Sequence, residues 1–238
     1  MKKMNGLNRF FILVAIVLSG LFALKIIDYK QWDRYYYTSS VSNPKEFPIH
    51  ISSIDFLMAN GEQNGTFYKD VEKINAFFSD WGVGEYNEAY KPEFLPQSLK
   101  VEYIDFRTKN YYNDTIVLPL DTMRAIFNEA KDRNHLENLS FTQKKMGLRY
   151  HVGIADNGYV YFWLIGHEYQ RKFFNVQLKP TTLPVRFYLH DSNVVEINKE
   201  GRVNPFIDIA DSTKQKLLEQ DVKSLHYRGN TPIKFEYL

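Results

Sequence analysis

The most regular alternation of apolar and polar residues lies in residues 148–178. Its first part alternates with a period of two, which is typical of a half-buried strand. Its second part, residues 159–165, is apolar or aromatic at every position and predicts a strand that is covered on both faces. Asn157 and Gly158 lie between the two parts and favour a tight hairpin turn, because both residues tolerate positive φ.

A two-residue loop at Asn157 and Gly158 also predicts the register of this hairpin. Residues 166–168 predict a second turn, and residues 169–178 predict a third strand, so that the three strands form an antiparallel meander in the middle of a sheet. The expected pairs in the hairpin are Ile154 with Tyr161, Gly153 with Phe162, Val152 with Trp163, His151 with Leu164 and Tyr150 with Ile165.

More strands and a helix are predicted on the N-terminal side of the meander. Residues 47–57 alternate in part and begin a strand, and apolar residues alternate with charged ones over residues 99–103. Residues 109–118 return as the partner of that second strand. Residues 120–133 predict a helix that packs on a sheet face, with Asp121 early, as the helix dipole prefers. The apolar residues at helical spacing are Met123, Ile126, Phe127 and Ala130.

Weaker patterns occur elsewhere in the chain. Residues 69–79 have the spacing of a short helix, and Ser212 with Gln215 resembles the capping box that opens a helix. The remaining strand candidates are residues 185–190, 193–197 and 233–237.

The N-terminal part contains a long apolar stretch. Residues 10–24 carry no charge, and Lys25 is followed by two more apolar residues. As a helix, residues 10–27 would be roughly 27 Å long, which approaches the thickness of the hydrocarbon core of a membrane once Lys25 snorkels. The pattern therefore predicts either a membrane anchor or a signal peptide.

Two observations bear on the choice between these forms and on orientation. Lys2, Lys3 and Arg9 precede the apolar stretch, which favours a cytoplasmic N-terminus with the rest of the chain outside. A signal-peptide cleavage site needs small side chains at the first and third positions before the cleaved bond. If Ala23 occupied the first of these positions, the large Leu21 would occupy the third. An uncleaved signal anchor is therefore favoured, and a cleaved signal peptide is the alternative.

These patterns predict three regions. Residues 1–27 form the signal peptide or signal-anchor helix, residues 28–45 form a linker, and residues 46–238 form a single domain. Trp32 and the tyrosines at 35–37 follow the apolar stretch, and aromatic residues in that position are typical of a membrane interface. The domain is expected to be α+β, with a mostly antiparallel sheet and one or two helices packed on it.

The amino-acid composition excludes several classes of function. Lys and Arg number 30 against 28 Asp and Glu, so the net charge of +2 gives no basis for nucleic-acid binding. The chain has no cysteine, which excludes disulfides, thiolate catalysis and cysteine-ligated metals. Aromatic residues make up 16% of the chain, which suits both a β-rich core and a protein-binding surface.

No catalytic, cofactor or metal motif is found. His167-Glu168 begins a zinc-protease pattern, but Arg171 stands where the second histidine is needed. The interpretation preferred for His151 is a partly buried sheet histidine with a hydrogen-bond partner, and no spacing supports a metal site built from His50, His151 and Asp105. The remaining histidines are His135, His190 and His226, and the carboxylates that could pair for catalysis are Asp55, Glu102, Asp105 and Asp114. For these carboxylates, surface strand charges opposite Lys or Arg are the preferred interpretation.

Two blocks of the sequence resemble the bacterial domain-of-unknown-function 2931 family. Residues 95–127 contain a Leu-Pro opening, a strand, a return strand with tyrosines and a second Leu-Pro before a helix. Residues 151–166 contain a glycine-bearing turn and an aromatic strand with a tryptophan, and Trp81-Gly82 is similar to a pair that precedes the first Leu-Pro in the family.

The resemblance implies an exported envelope protein. Many members are similar to lipoproteins of Gram-negative bacteria, but this chain lacks the lipobox cysteine, so residues 10–27 would replace the lipid anchor. The resemblance supplies no catalytic residues, and for some members it implies a role as immunity proteins against secreted antibacterial toxins.

The expected function is binding without catalysis. The chain is predicted to enter the inner membrane once through residues 10–27, with its domain in the periplasm, and to bind an envelope or toxin protein without a cofactor. The alternatives are an immunity protein that neutralises a toxin, and an envelope hydrolase that uses carboxylate or histidine chemistry.

Overall fold

The computed structural model describes residues 5–44, 47, 49–59, 63–64, 67 and 87–183. This part of the chain is an α+β fold with two β-sheets, and it confirms the predicted fold class, including the apolar helix at the N-terminus. The helices are α1 (Gly6–Tyr29) and α2 (Leu120–Asp132). The strands are β1 (Tyr36–Ser42), β2 (Ile49–Leu57), β3 (Gln63–Asn64), β4 (Ser98–Asp105), β5 (Asn110–Val117), β6 (Glu137–Asn138), β7 (Met146–Ile154), β8 (Tyr159–Gly166) and β9 (Tyr169–Gln177).

The first sheet contains the predicted meander. Its strand order is β1-β7-β8-β9, and the short β6 pairs with the beginning of β7. Strands β7, β8 and β9 are antiparallel to one another, and His167 with Glu168 forms the turn between β8 and β9, as predicted. Strand β1 runs parallel to β7, from Tyr36 opposite Gly147 to Ser42 opposite Gly153.

The β7–β8 hairpin is confirmed, but the predicted register is wrong by one residue. The N–H of Ala155 donates to the carbonyl of Tyr159, so three residues form the loop instead of two. Asn157 and Gly158 both have positive φ, at 56° and 79°, so the sequence signal for the turn is correct while the loop length is not. The observed pairs are Ile154 with Val160, Gly153 with Tyr161, Val152 with Phe162, His151 with Trp163, Tyr150 with Leu164 and Arg149 with Ile165.

The segment predicted as a linker, residues 28–45, contains the strand Tyr36–Ser42. Strand β1 lies beside β7, and its Ser39 and Ser40 are at most 1% exposed. Tyr37 packs into the core, where its hydroxyl donates to the carbonyl oxygen of Phe94 at 2.9 Å. The segment is rich in serine because these hydroxyls face polar partners inside the protein. The division into residues 1–27 and 46–238 stays a prediction.

The second sheet has the strand order β3-β2-β4-β5 and is antiparallel throughout. It confirms the strand begun in residues 47–57, the alternating strand at 99–103 and its partner at 109–118. Leu99, Val101 and Tyr103 are fully buried, as their alternation predicts.

The inner faces of the two sheets and α2 share one hydrophobic core. The ring of Phe56 in the second sheet lies 6.4 Å from that of Tyr37 and 5.2 Å from that of Tyr150 in the first. Helix α2 covers this junction, and the hydroxyl of Tyr150 contacts Sδ of Met123 at 3.3 Å. The predicted core residues of the helix are all buried: Met123, Ile126, Phe127 and Ala130.

Helix α1 exposes its apolar side chains over almost its whole length. Gly6–Ile27 has 22 residues and is long and apolar enough to span a membrane or to act as a signal sequence. At 1.5 Å per residue this segment is roughly 33 Å long, close to the hydrocarbon thickness of a bilayer. The helix ends at Lys30, whose φ of 45° is left-handed and whose N–H donates to the carbonyl of Ile26.

Several predictions lie outside the described residues. They are the helix at 69–79, the Trp81-Gly82 pair, the strands at 185–190, 193–197 and 233–237, the capping pair Ser212 and Gln215, and the histidines His190 and His226.

Candidate functional site

A buried histidine lies between two serines on the outer face of the first sheet, the face turned away from the core. Nδ1 of His151 is 2.7 Å from Oγ of Ser40, and its Nε2 is 2.8 Å from Oγ of Ser42. Burial lowers the pKa of His151 to about 3, so the ring is neutral at pH 7. A neutral ring has one donor and one acceptor nitrogen, and the two serines engage both of them. This confirms the preferred interpretation of His151, except that the ring is fully buried.

The second sheet separates the four candidate carboxylates onto two faces. Asp55 lies opposite Lys100 and Glu102 opposite Ser53, so these two carboxylates are diagonal neighbours on the outer face. The remaining two, Asp105 and Asp114, lie on the other face of the β4–β5 ladder. They are four rows apart, which is roughly 13 Å at 3.3 Å per residue and too far for a pair of catalytic carboxylates.

Each carboxylate of the outer-face pair already has a hydroxyl partner. Ser53 Oγ donates to Oδ2 of Asp55 at 2.9 Å, and Tyr111 Oη donates to Oε1 of Glu102 at 2.6 Å. Burial and this bond to Glu102 together raise the pKa of Tyr111 to about 12. The predicted placement of strand charges opposite a basic residue is confirmed for Asp55 and Lys100.

Asp105 stabilises the turn between β4 and β5. Its Oδ1 accepts the backbone N–H groups of Arg107 and Thr108 at 2.9 and 3.3 Å, and its Oδ2 accepts the hydroxyl of Thr108 at 2.8 Å. Burial raises the pKa of Asp105, and the bonds to Thr108 and Arg107 oppose that change. These bonds satisfy a buried carboxyl group that closes a hairpin.

The structure does not bring the candidate metal ligands together. Asp105 pairs with Ile49 and therefore shares its face of the second sheet, whereas the next residue, His50, points to the opposite face. His151 belongs to the first sheet. Among the described residues, no group of three or more His, Cys, Asp or Glu side chains is placed to hold a metal ion.

Two loops at one end of the first sheet are joined by buried polar bonds. We call residues 88–91 and 139–145 the Tyr90–Phe141 platform. Nζ of Lys145, which is 9% exposed, donates to the carbonyl oxygens of Ala89 and Tyr90 at 2.8 and 3.0 Å. Oγ of Ser140 donates to Glu88 at 2.7 Å. The N–H of Ala89 donates to the carbonyl of Leu139 at 3.0 Å, which joins the loops a third time.

The platform presents two aromatic rings to solvent. Tyr90 is 83% exposed and Phe141 is 95% exposed, although the backbone beneath them is fixed by the bonds to Lys145 and Ser140. Rigid, exposed aromatic side chains favour binding because they lose little conformational entropy when they are covered. The platform therefore carries two of the three exposed aromatic rings that the described residues hold outside α1.

Comparison with known proteins identifies the family of the chain. The sequence model of a family described as "Protein of unknown function (DUF2931)" matches residues 27–228. The chain belongs to this family. The match starts near the end of α1, so it leaves out most of the apolar helix and includes β1 and the platform. Comparison with curated proteins and with solved structures finds no match.

The sequence gives little sign of the platform or of the buried His151 in this DUF2931 domain. Tyr90 and Phe141 lie in segments without apolar periodicity, and the burial of Lys145 depends on carbonyl groups more than 50 residues away. The excess of aromatic residues was the one available signal, and it does not say which rings are exposed. Ser40 and Ser42 were hidden by the linker interpretation of their segment.

Proposed function

We propose that this protein is an exported domain, tethered to the inner membrane of a bacterial cell by α1, that acts by binding another protein. The observation that carries the proposal is the exposed apolar helix Gly6–Ile27, which leads into the first sheet within a few residues. Lys2, Lys3 and Arg9 favour a cytoplasmic N-terminus and a periplasmic domain. A domain held in this way meets partners that arrive at the outer surface of that membrane.

Binding without catalysis agrees with the chemistry of the described residues. Both ring nitrogens of His151 are engaged by serines, and both oxygens of Asp105 are engaged by the turn that they stabilise. The Tyr90–Phe141 platform, in contrast, exposes two aromatic rings on loops whose backbone is held by hydrogen bonds. These features favour an interaction module over an enzyme, and an envelope or secreted protein is its proposed partner.

The competing function is hydrolysis by Asp55 and Glu102, the carboxylate pair that shares one face of the second sheet. The full-length protein in detergent is incubated with ester, glycoside and peptide substrates, and we expect no turnover. The proposal would be overturned by turnover that is lost in Asp55→Asn or Glu102→Gln and kept in the exposed control Asp121→Asn.

The partner is identified by cross-linking the tethered protein in cells. We expect a specific envelope or secreted protein to be captured. A captured antibacterial toxin, together with sensitivity of the deletion strain to its wild-type siblings, would establish the immunity role that the family resemblance implies. If nothing specific is captured across growth conditions, binding to a protein is refuted as the function.

A further inference from the structure

The exposed aromatic side chains collect at the end of the first sheet that joins α1. Outside α1, the exposed large hydrophobic residues of the described part of the chain are Trp32, Tyr90, Val117 and Phe141. Trp32 lies three residues beyond the end of α1 and is 67% exposed. Single exposed apolar residues are ordinary, but three exposed aromatic rings at the same end as an apolar helix call for a common explanation.

Strand pairing shows that the platform and α1 lie at the same end. Strand β1 begins at Tyr36, soon after α1, and Tyr36 pairs with Gly147 near the beginning of the parallel strand β7. The loop that carries Phe141 precedes β7, so it extends past Gly147 toward the segment that leads back to α1. Tyr35 pairs with Glu93, which brings the chain segment of Tyr90 to the same end.

The connection between α1 and the domain is held by specific contacts. The guanidinium of Arg34 donates to the carbonyl oxygen of Tyr29 at 2.6 Å and stacks on the ring of Phe94 at 4.1 Å. Arg124 of α2 forms two bonds of 3.3 Å with the carboxylate of Asp33. Each exposed ion pair contributes little to stability, but together these contacts favour one orientation of the domain on the helix.

The charges around the three rings favour an anionic surface. Lys30, Lys91 and Lys144 are exposed near the rings. Glu93 lies 3.6 Å from Lys91 and Asp33 is bonded by Arg124, so each of these carboxylates is offset by a basic side chain. The buried Lys145 offsets the charge of Glu88 in the same platform, and Lys30 and Lys144 add positive charge. Aromatic rings beside lysines are the combination found at the boundary between lipid and water.

We propose that Trp32, Tyr90 and Phe141 enter the headgroup region of the membrane that α1 crosses, while Lys30 and Lys144 contact anionic phospholipids. The proposal rests on the tethering proposed above and adds a fixed orientation of the domain on the bilayer. The β7–β8 hairpin and residues 178–183 then lie at the end away from the membrane, because the N–H of Leu178 donates to the carbonyl of Gly158 beside the far end of β7. A protein partner would meet this far end.

Single cysteines provide a direct test, because the natural chain has none. Gln143→Cys places a probe beside Phe141 without removing an aromatic ring, and Lys179→Cys places the matched probe at the far end. Each variant of the full-length protein is labelled with an environment-sensitive fluorophore and reconstituted into vesicles of phosphatidylcholine and phosphatidylglycerol that contain spin-labelled lipid. We expect the probe at 143 to be quenched several-fold more strongly than the probe at 179.

Two further variants separate the two kinds of contact. The double substitution Tyr90→Ser with Phe141→Ser should reduce the quenching of the probe at 143 in all vesicles. Lys144→Gln should reduce the quenching of this probe only when phosphatidylglycerol is present. The control Lys179→Gln, at the far end, should leave the quenching of this probe unchanged. Equal quenching of the two probes, in protein that resists carbonate extraction from the vesicles, would overturn membrane seating but leave the tethering intact. Protein that carbonate extracts would refute the tethering itself. Protection of the probe at 143 by a protein partner instead of by lipid would assign the platform to protein binding.

Discussion

At the scale of single residues, His151 makes the stability of the domain depend on pH. Its folded pKa of about 3 is lowered by burial from an ordinary value of 6.5, so the neutral ring stabilises the folded state above pH 6.5. This contribution is lost progressively as the pH falls toward 3, because the unfolded chain takes up a proton that the folded chain excludes. Between pH 7 and pH 5 we expect a loss of about 2 kcal/mol of unfolding free energy.

Urea unfolding of the protein in detergent at several pH values measures this loss. His151→Gln should be less stable at pH 7 but should lose less stability between pH 7 and pH 5 than the natural protein. His167→Gln, at an exposed turn, should keep the full dependence. Equal pH slopes for the natural protein and His151→Gln would contradict the assigned role of burial.

Two buried tyrosines in the core should respond to the same substitution in opposite ways. Tyr103 is fully buried, and its hydroxyl has no hydrogen-bond partner among the described residues, whereas the hydroxyl of Tyr37 donates to Phe94. Tyr103→Phe should therefore leave stability unchanged or raise it by about 1 kcal/mol, and Tyr37→Phe should lower it by about 1 kcal/mol. Denaturation midpoints at pH 7 provide the comparison, and a substantial loss for Tyr103→Phe would show that its hydroxyl is bonded.

At the scale of secondary structure, the close approach of β1 and β7 depends on a glycine. A Cβ added at Gly147 would overlap the carbonyl oxygen of Tyr36 and come within 2.7 Å of Leu139, so Gly147→Ala must push the two strands apart. We expect a loss of about 3 kcal/mol, since overpacking against backbone has no side chain that can move away. Gly20→Ala meets nothing within 4 Å and is the matched control. Thermal unfolding checks the pair, and a Gly147→Ala protein as stable as the control would contradict the parallel pairing.

The secondary-structure elements that can be predicted from the sequence are those determined by residues close to one another in the chain. Helix α2 combines apolar residues at helical spacing with Asp121 in its first turn, and the alternation around Val101 is sufficient to predict β4. The hairpin register failed because a two-residue and a three-residue loop both accommodate Asn157 and Gly158. A slip of one residue exchanges the faces of a strand, so Trp163 lies opposite His151 and not Val152.

Strand β1 and the platform depend on contacts between residues that are far apart in the sequence. Local sequence patterns therefore do not predict them. Ser40 and Ser42 look like linker residues until their partner His151, about 110 residues away in sequence, is seen beside them. Lys145 looks like a surface lysine until the carbonyl groups of Ala89 and Tyr90 enclose it. The position of Trp32 and of the tyrosines at 35–37 after α1 predicts a membrane interface, but Tyr37 of this group belongs to the core.

At the scale of the whole molecule, the fold joins an apolar helix to a two-sheet domain through a short connection. Tyr36 enters the first sheet next to Gly147, and the described strands pack with α2 around a core between the two sheets. In the proposed arrangement, α1 crosses the inner membrane, the platform faces the bilayer, and the far end of the sheet faces the periplasm. The periplasmic location of the domain and the class of partner that it can meet depend on the side of the membrane that the domain occupies.

The measurement that tests this most directly is labelling of single cysteines with a membrane-impermeant maleimide in intact cells whose outer membrane admits the reagent. Asn5→Cys reports the N-terminal side of α1, and Lys179→Cys reports the domain. We predict that the cysteine at 179 is labelled in intact cells and that the cysteine at 5 is labelled only after lysis. Labelling at 5 in intact cells, with the cysteine at 179 protected until lysis, would contradict the account.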